Sequence, residues 1–253
     1  MKRALALLVV AAALAGCGGD DDDGDSGDGG ELIVSAAASL EPAFTVYAEE
    51  EGFDAKQSFA GSDELAAQIR QGVRPDVYAA ANTSLPDELH ADGLVQEPAV
   101  FATNRLVLAV PSDSDQIQDL NDLTAEGVTL AIGEEGVPVG DYTREVLGGL
   151  GPAESEAILA NVRSEEPDVA GIVGKLTQGA VDAGFVYITD VVAAGGELEA
   201  LELPAKLQPD VAYGAAVVDG ANNPEEAQRF VDGLLEGPGA QALLDAGFER
   251  PPP

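Results

Sequence analysis

The segment LIVSAAASL, residues 32–40, predicts a strand, a tight turn and the start of a helix. Its first three residues are apolar and predict a buried strand, the small Ser and Ala residues predict the turn, and apolar residues recur at helical spacing over 40–51. The first N–H groups of such a helix face outward at the carboxyl end of the sheet, where they and the helix dipole favour an anion. Ser39 is predicted to cap this helix and to offer its hydroxyl to a ligand, although an ordinary capped turn has the same sequence pattern.

Strand-like and helix-like segments alternate along the rest of the chain, which indicates an α/β fold with parallel strands. The predicted strands are 53–59, 76–80, 105–110, 128–132, 183–188 and 212–218, and a further segment, 163–169, lies between two predicted helices. The predicted helices are 63–71, 85–91, 141–150, 170–179, 224–235 and 240–246, with a further helix beginning near residue 152.

The 253-residue chain is strongly acidic, with 46 Asp and Glu against 12 Lys and Arg and a formal net charge of −34. That charge argues against nucleic acids and anionic membrane surfaces as partners, because both are polyanions that it would repel. Any anion site must therefore depend on local dipoles, since the long-range field of the protein repels anions. A hydrophobic content of 45% is enough to bury one or two ordinary cores.

Residues 1–17 are predicted to be a lipoprotein signal peptide. A basic start and an apolar stretch too short to span a bilayer stably precede LAGC at residues 14–17. This motif resembles the lipobox of bacterial lipoproteins, which implies that Cys17 is acylated and becomes the new N-terminus. Residues 18–30, GGDDDDGDSGDGG, contain no apolar residue and are predicted to form an acidic, disordered tether.

Several predicted strand–helix junctions share one pattern. Ser39, Ser62, Val139 and Val169 each fall at or just before a predicted helix start, among Gly, Ala, Ser or Pro residues that let a ligand approach the backbone. In open α/β sheets, ligands bind beyond the carboxyl ends of strands, and Tyr187 ends a predicted strand at the equivalent level. No Lys, Arg or His accompanies these positions. An ion held only by neutral donors must arrive fully ionised, because nothing there accepts a proton from it.

Four motifs resemble those of the periplasmic molybdate-binding proteins that serve ABC transporters. They are AAASL at 36–40, FAGS at 59–62, VPVG at 137–140 and FVYITD at 185–190, and the resemblance covers nearly all of 32–248. In that family, two serines, two backbone N–H groups and a tyrosine hold a tetrahedral dianion between two lobes. The resemblance implies that the corresponding groups here are the hydroxyls of Ser39, Ser62 and Tyr187 and the backbone N–H groups of Val139 and Val169.

Two positions depart from the family pattern. Val139 stands where the family usually has Ala, which a backbone donor tolerates but which changes the size of the cavity. Asp63 follows Ser62 where family members often have Ser or Thr, and it puts a carboxylate close to an anion site. Its side chain is therefore expected to point away from the ligand.

The resemblance also implies a two-lobe periplasmic-binding-protein fold of type II, in which each lobe is a mostly parallel sheet flanked by helices. Lobe I is expected to contain residues 31–103 and 213–250, and lobe II residues 104–212. RLVLAV (105–110) and VAYGAAVV (211–218) are extended segments that could cross between the two sheets.

The function implied by the resemblance is that of an extracytoplasmic, membrane-anchored lipoprotein. It would capture molybdate or tungstate in the cleft between the lobes and deliver it to the permease of an ABC importer, as a monomer without a cofactor. Its only attachment to the membrane would be the lipid on Cys17. The same residues would hold the oxyanion through hydrogen bonds, with no direct metal ligand.

Other functions stay open at this point. Sulfate and other tetrahedral oxyanions fit the same donors, and a surface sensor lipoprotein would need no transport partner. A carboxylate-dependent metal hydrolase is formally possible, but no short-range ligand pattern supports it. An enzyme is not predicted, because nucleophilic catalysis lacks an activating group: His90 is the only His and Cys17 the only Cys.

Overall fold

The structure, a computed structural model, describes residues 30–252. The predicted signal peptide, the acylated Cys17 and the tether up to residue 29 lie outside the described residues and stay predictions. No helix within 30–252 is long and apolar enough to cross a membrane.

The described residues form ten strands and nine α-helices. The strands are β1 (Leu32–Ala37), β2 (Ala55–Ala60), β3 (Val77–Ala80), β4 (Ala99–Asn104), β5 (Leu106–Pro111), β6 (Leu130–Gly133), β7 (Val162–Glu166), β8 (Ala183–Tyr187), β9 (Leu198–Glu202) and β10 (Val211–Val217). The helices are α1 (Glu41–Glu51), α2 (Ser62–Arg70), α3 (Ser84–Ala91), α4 (Pro138–Gly148), α5 (Pro152–Ala160), α6 (Val169–Thr177), α7 (Ile188–Ala193), α8 (Pro224–Leu235) and α9 (Pro238–Asp245). Short 3-10 helices occur at Ala38–Leu40 and Leu120–Thr124.

The strands assemble into two sheets with the same plan. The first has the order β2-β1-β3-β10-β4 and the second the order β7-β6-β8-β5-β9. In each sheet the first two pairings are parallel and the last two are antiparallel, because one strand is reversed: β10 in the first sheet and β5 in the second. The other four strands of each sheet run in one direction, so the predicted two-lobe α/β fold is confirmed, with mixed rather than all-parallel pairing.

The chain passes between the sheets twice. It leaves the first sheet at Asn104 and enters the second at Leu106, and it returns within residues 203–210. The two extended segments that could have crossed, 105–110 and 211–218, do not span both sheets: β5 and β10 each pair within one sheet. The crossings lie immediately before these strands.

Apolar side chains fix the position of each sheet. Alternate residues of β1, including Leu32, Val34 and Ala36, are fully buried, as expected for a strand covered by helices. In the first lobe, Phe44 of α1 packs edge-on against Phe230 of α8, with ring centroids 5.3 Å apart. This packing holds α1, and therefore the turn before it, against the sheet.

Three elements had no counterpart among the predicted ones. Strand β9, LEALE, lies at the edge of its sheet, and its two Glu residues, Glu199 and Glu202, are exposed. Strand β4 lies at the other sheet's edge and contains the polar residues Thr103 and Asn104. Helix α7 follows β8 without an intervening turn residue, so the sequence offers no break between the two.

Candidate functional site

The two lobes enclose a small cavity of about 20 Å³. Its walls come from the carboxyl ends of β1, β2 and β8 and from the N-termini of α2, α4 and α6. All five predicted site residues line it, namely Ser39, Ser62, Val139, Val169 and Tyr187. None of the five is more than 4% exposed, so the groups that they present to the cavity are screened from bulk water.

Ser39 reaches the cavity from a 3-10 turn rather than from a helix cap. The turn spans Ala38–Leu40, its N-cap is Ala37, and no side chain caps it. The predicted capping role of Ser39 is therefore wrong, because the chain has already turned into helical geometry one residue earlier. The Ser39 hydroxyl instead lies 2.9 Å from the hydroxyl of Tyr213 in β10.

Ser62 is the first residue of α2, after the N-cap Gly61. Its hydroxyl oxygen accepts a hydrogen bond from the backbone N–H of Ala81 (3.0 Å), and its carbonyl accepts one from the hydroxyl of Tyr78 (2.7 Å). Gly61 lies against the other lobe, since a Cβ there would overlap the carbonyl oxygen of Pro167. Only glycine lets the lobes approach this closely.

The second lobe contributes two helix N-termini. Helix α4 starts with Pro138, which has no N–H, so the first free N–H of that helix belongs to Val139. Helix α6 starts at Val169, and its N-cap Asp168 accepts a hydrogen bond from the N–H of Gly171 (2.9 Å). The N–H groups of Val139 and Val169 lie in first turns, where the helix itself supplies no acceptor.

Tyr187 presents an unpaired hydroxyl. It ends β8, is 1% exposed, and its hydroxyl oxygen has no hydrogen-bond partner within residues 30–252. Its backbone N–H donates to the carboxylate of Asp190 (2.9 Å), which fixes the turn into α7. Burial raises the pKa of the Tyr187 hydroxyl well above its ordinary value, so this group stays protonated and is a donor at physiological pH.

Among residues 30–252, the charged groups at the site are carboxylates. No described Lys, Arg or His lines the cavity, whereas Asp168 does, with its carboxylate engaged in capping α6. Asp63 does not line it, although one of its carboxylate oxygens lies close to Gly61, which does. One Asp63 oxygen is buried without a partner among the described residues, and burial raises the pKa of its carboxyl.

Sequence reasoning missed Asp168 and Tyr213. An Asp close to a helix start is a recognised N-cap signal, so Asp168, two residues before the predicted start at 170, could have been identified in the sequence. Tyr213 gives no such signal, because its contact with Ser39 joins residues 174 positions apart. Among the described residues, no group of three His, Cys, Asp or Glu side chains is placed to hold a metal ion.

The site thus combines small volume, burial and an excess of neutral donors. The first-turn N–H groups of Val139 and Val169 and three hydroxyl groups face one space, and no Lys, Arg or His of residues 30–252 lines it. Such a set suits a compact anion that carries no proton, because each of its oxygens finds a donor and none of them needs an acceptor.

A family model described as bacterial extracellular solute-binding protein matches residues 32–249. The chain belongs to this family. Among the relatives of this solute-binding protein is the Molybdate-binding protein ModA of Mycobacterium tuberculosis, 33% identical over 227 residues, which are 87% of this chain and 85% of the relative. The ModA of Escherichia coli is 32% identical over 233 residues, 85% of this chain and 87% of the relative.

The solved structure of the periplasmic molybdate-binding protein of Azotobacter vinelandii has the same fold. Its TM-score is 0.78 at 19% sequence identity, and the match covers 88% of this chain and all of that one. The resemblance to molybdate-binding proteins that the four motifs indicate is thereby confirmed.

Proposed function

We propose that this solute-binding protein captures molybdate or tungstate between its lobes and delivers it to an ABC importer. The observation that carries the proposal is the buried cavity lined by neutral donors, above all the unpaired hydroxyl of Tyr187. A buried hydroxyl without a partner is costly in a folded protein, and a bound oxyanion would supply the missing acceptor. The molybdate-binding relatives support the choice of ligand.

Five groups would share the four oxygens of the ion. The hydroxyls of Ser39 and Ser62 would bind from the first lobe, and the N–H groups of Val139 and Val169 and the hydroxyl of Tyr187 from the second. Hydrogen bonds to a charged partner contribute about 1.5–3 kcal/mol each. Because the donors lie on both lobes, all five are available only when the lobes are closed, so the ligand would shift the population toward the closed form.

The protein would be anchored to the membrane beside the importer. The family is one of extracellular solute-binding proteins, and the LAGC motif at residues 14–17 supports attachment through a lipid on Cys17. The lipid would keep the protein beside the importer, while the acidic segment after Cys17 would separate the folded part from the membrane.

Calorimetric titration of the purified protein with molybdate, tungstate, sulfate and phosphate tests the proposed function. We expect saturable binding of molybdate and tungstate at one site and none of phosphate at comparable concentrations. Tight binding of sulfate alone would change the assigned ligand, and the absence of binding by all four ions would refute an oxyanion-binding function. Uptake of molybdate by vesicles that contain the importer, measured with and without this protein, tests delivery.

A further inference from the structure

A chain of buried hydrogen bonds joins the crossing between the lobes to Ser39. It begins at Asn104, the last residue of β4, whose side-chain oxygen accepts the backbone N–H of Arg105 (2.9 Å). A backbone N–H can only donate, so this contact fixes which end of the amide is the oxygen. The amide nitrogen then donates to the hydroxyl of Thr189 (2.9 Å) and, at a longer 3.4 Å, to that of Tyr213.

The direction of the next hydrogen bond follows from the available acceptors. Among the described residues, the hydroxyl of Tyr213 contacts two polar groups, the amide nitrogen of Asn104 and the hydroxyl of Ser39. An amide nitrogen cannot accept a hydrogen bond. The buried O–H of Tyr213 therefore has one acceptor, the oxygen of Ser39, at 2.9 Å.

This direction decides what Ser39 offers to a ligand. Its oxygen already accepts from Tyr213, so its own hydrogen is left to point into the cavity that the residue lines. The hydroxyl oxygen of Ser62 also accepts a hydrogen bond, in this case from the backbone N–H of Ala81. A side-chain substitution cannot remove that backbone donor, whereas the donor to Ser39 is itself a side chain.

We infer that Tyr213 and Asn104 are positioning residues that hold Ser39 as a hydrogen-bond donor and thereby select oxyanions without a proton. The inference rests on the proposed function and deepens it. A serine hydroxyl has one hydrogen and two lone pairs, so a Ser39 without Tyr213 could rotate its hydrogen away from the cavity and accept the O–H of hydrogen phosphate. With Tyr213 donating to the Ser39 oxygen, the Ser39 hydrogen is directed into the cavity, so a protonated ion meets a donor there instead of an acceptor.

The test is Tyr213→Phe, which removes only the hydroxyl. Affinities for molybdate and for phosphate are measured by calorimetry at neutral pH in the wild type and in the variant. We expect the variant to bind molybdate more weakly than the wild type does, and to lose less affinity for phosphate. The ratio of molybdate affinity to phosphate affinity should therefore fall by about tenfold, which is the effect of one hydrogen bond. Tyr47→Phe is the matched control: its buried hydroxyl donates to the carbonyl of Phe230 (3.1 Å) in the same lobe, away from the cavity, and its ratio should not change.

A second variant is also expected to remove the hydrogen bond from Tyr213 to Ser39. Asn104→Asp replaces the amide nitrogen with an oxygen that accepts from Tyr213, so Tyr213 no longer donates to Ser39. The ratio of molybdate to phosphate affinity should fall here as well. An unchanged ratio in either folded variant, while the wild type binds molybdate, would overturn the inference. Failure of the wild type to bind any oxyanion would instead refute the proposed function.

Discussion

Removing the hydroxyl of Tyr187 is expected to weaken ligand binding and to stabilise the ligand-free protein. The hydroxyl is buried and has no partner among the described residues. An unsatisfied buried polar group costs about 1–3 kcal/mol, which Tyr187→Phe would recover in the absence of ligand. For a folded part of this size, about 1 kcal/mol corresponds to a shift of roughly 2–4 °C in Tm.

Binding should change in the opposite direction. The variant loses one hydrogen bond to a charged ligand, about 1.5–3 kcal/mol, which corresponds to an increase of roughly tenfold to a hundredfold in the Kd for molybdate. Thermal melting without ligand and calorimetric titration with molybdate measure the two effects on one preparation.

Tyr78→Phe is the matched control, because the hydroxyl of Tyr78 is equally buried but donates to the carbonyl of Ser62 at 2.7 Å. Its removal leaves that carbonyl without its partner, so the Tm of this variant should fall rather than rise. A fall in the Tm of Tyr187→Phe together with an unchanged Kd would refute the reasoning, since the hydroxyl would then be paired within the protein and not used by the ligand.

Three further predictions concern the two serines of the site, the carboxyl group of Asp190 and the acylation of Cys17. Ser39→Ala and Ser62→Ala should each weaken molybdate binding by about tenfold to a hundredfold in calorimetry; unchanged affinity in both would remove these serines from the site. Burial raises the pKa of Asp190 to about 7, so the folded chain keeps a proton there that the unfolded chain releases near pH 4, and the free energy of unfolding should fall as the pH rises from about 4 to about 7. Asp190→Asn, which keeps an acceptor for the N–H of Tyr187, should flatten this dependence in urea denaturation at pH 5 and pH 8, and equal slopes in both proteins would contradict the assignment. Cys17→Ser should abolish acylation and release the protein from the membrane fraction, whereas a variant that stays membrane-bound would exclude a lipid anchor on this residue.

The alternation of strands and helices could be predicted because each element carries its own local pattern. Helix α8 has the predicted bounds, since Pro224 marks its start and its apolar residues recur at helical spacing. Strand β9 could not be predicted, because LEALE lacks the strict alternation of apolar and polar residues that marks a half-buried strand. The reversed direction of β5 and β10 also has no local signal, since direction is set by pairing with distant strands.

In the candidate site, too, local features could be predicted from the sequence and long-range contacts could not. Its five residues could be placed at strand ends and helix starts, and the structure brings all of them to one cavity; their contacts with an oxyanion stay a prediction. The state of the Ser39 hydroxyl could not be predicted, because it depends on Tyr213, 174 positions away, and through it on Asn104. Local sequence suggested a helix cap instead.

Competition between molybdate and phosphate tests most directly whether the cleft is a site for an unprotonated oxyanion. Phosphate keeps at least one proton near neutral pH, and that O–H would be buried in the cavity without an acceptor, at a cost of about 1–3 kcal/mol. The protein is saturated with molybdate at neutral pH, phosphate is added in large excess, and the molybdate that remains bound is measured after rapid desalting. We predict that molybdate stays bound, with phosphate weaker by at least about tenfold on this effect alone. Efficient displacement by phosphate would show that a carboxylate, of Asp168 or of Asp63, accepts the phosphate proton, and it would contradict a cavity that offers the ligand only donors.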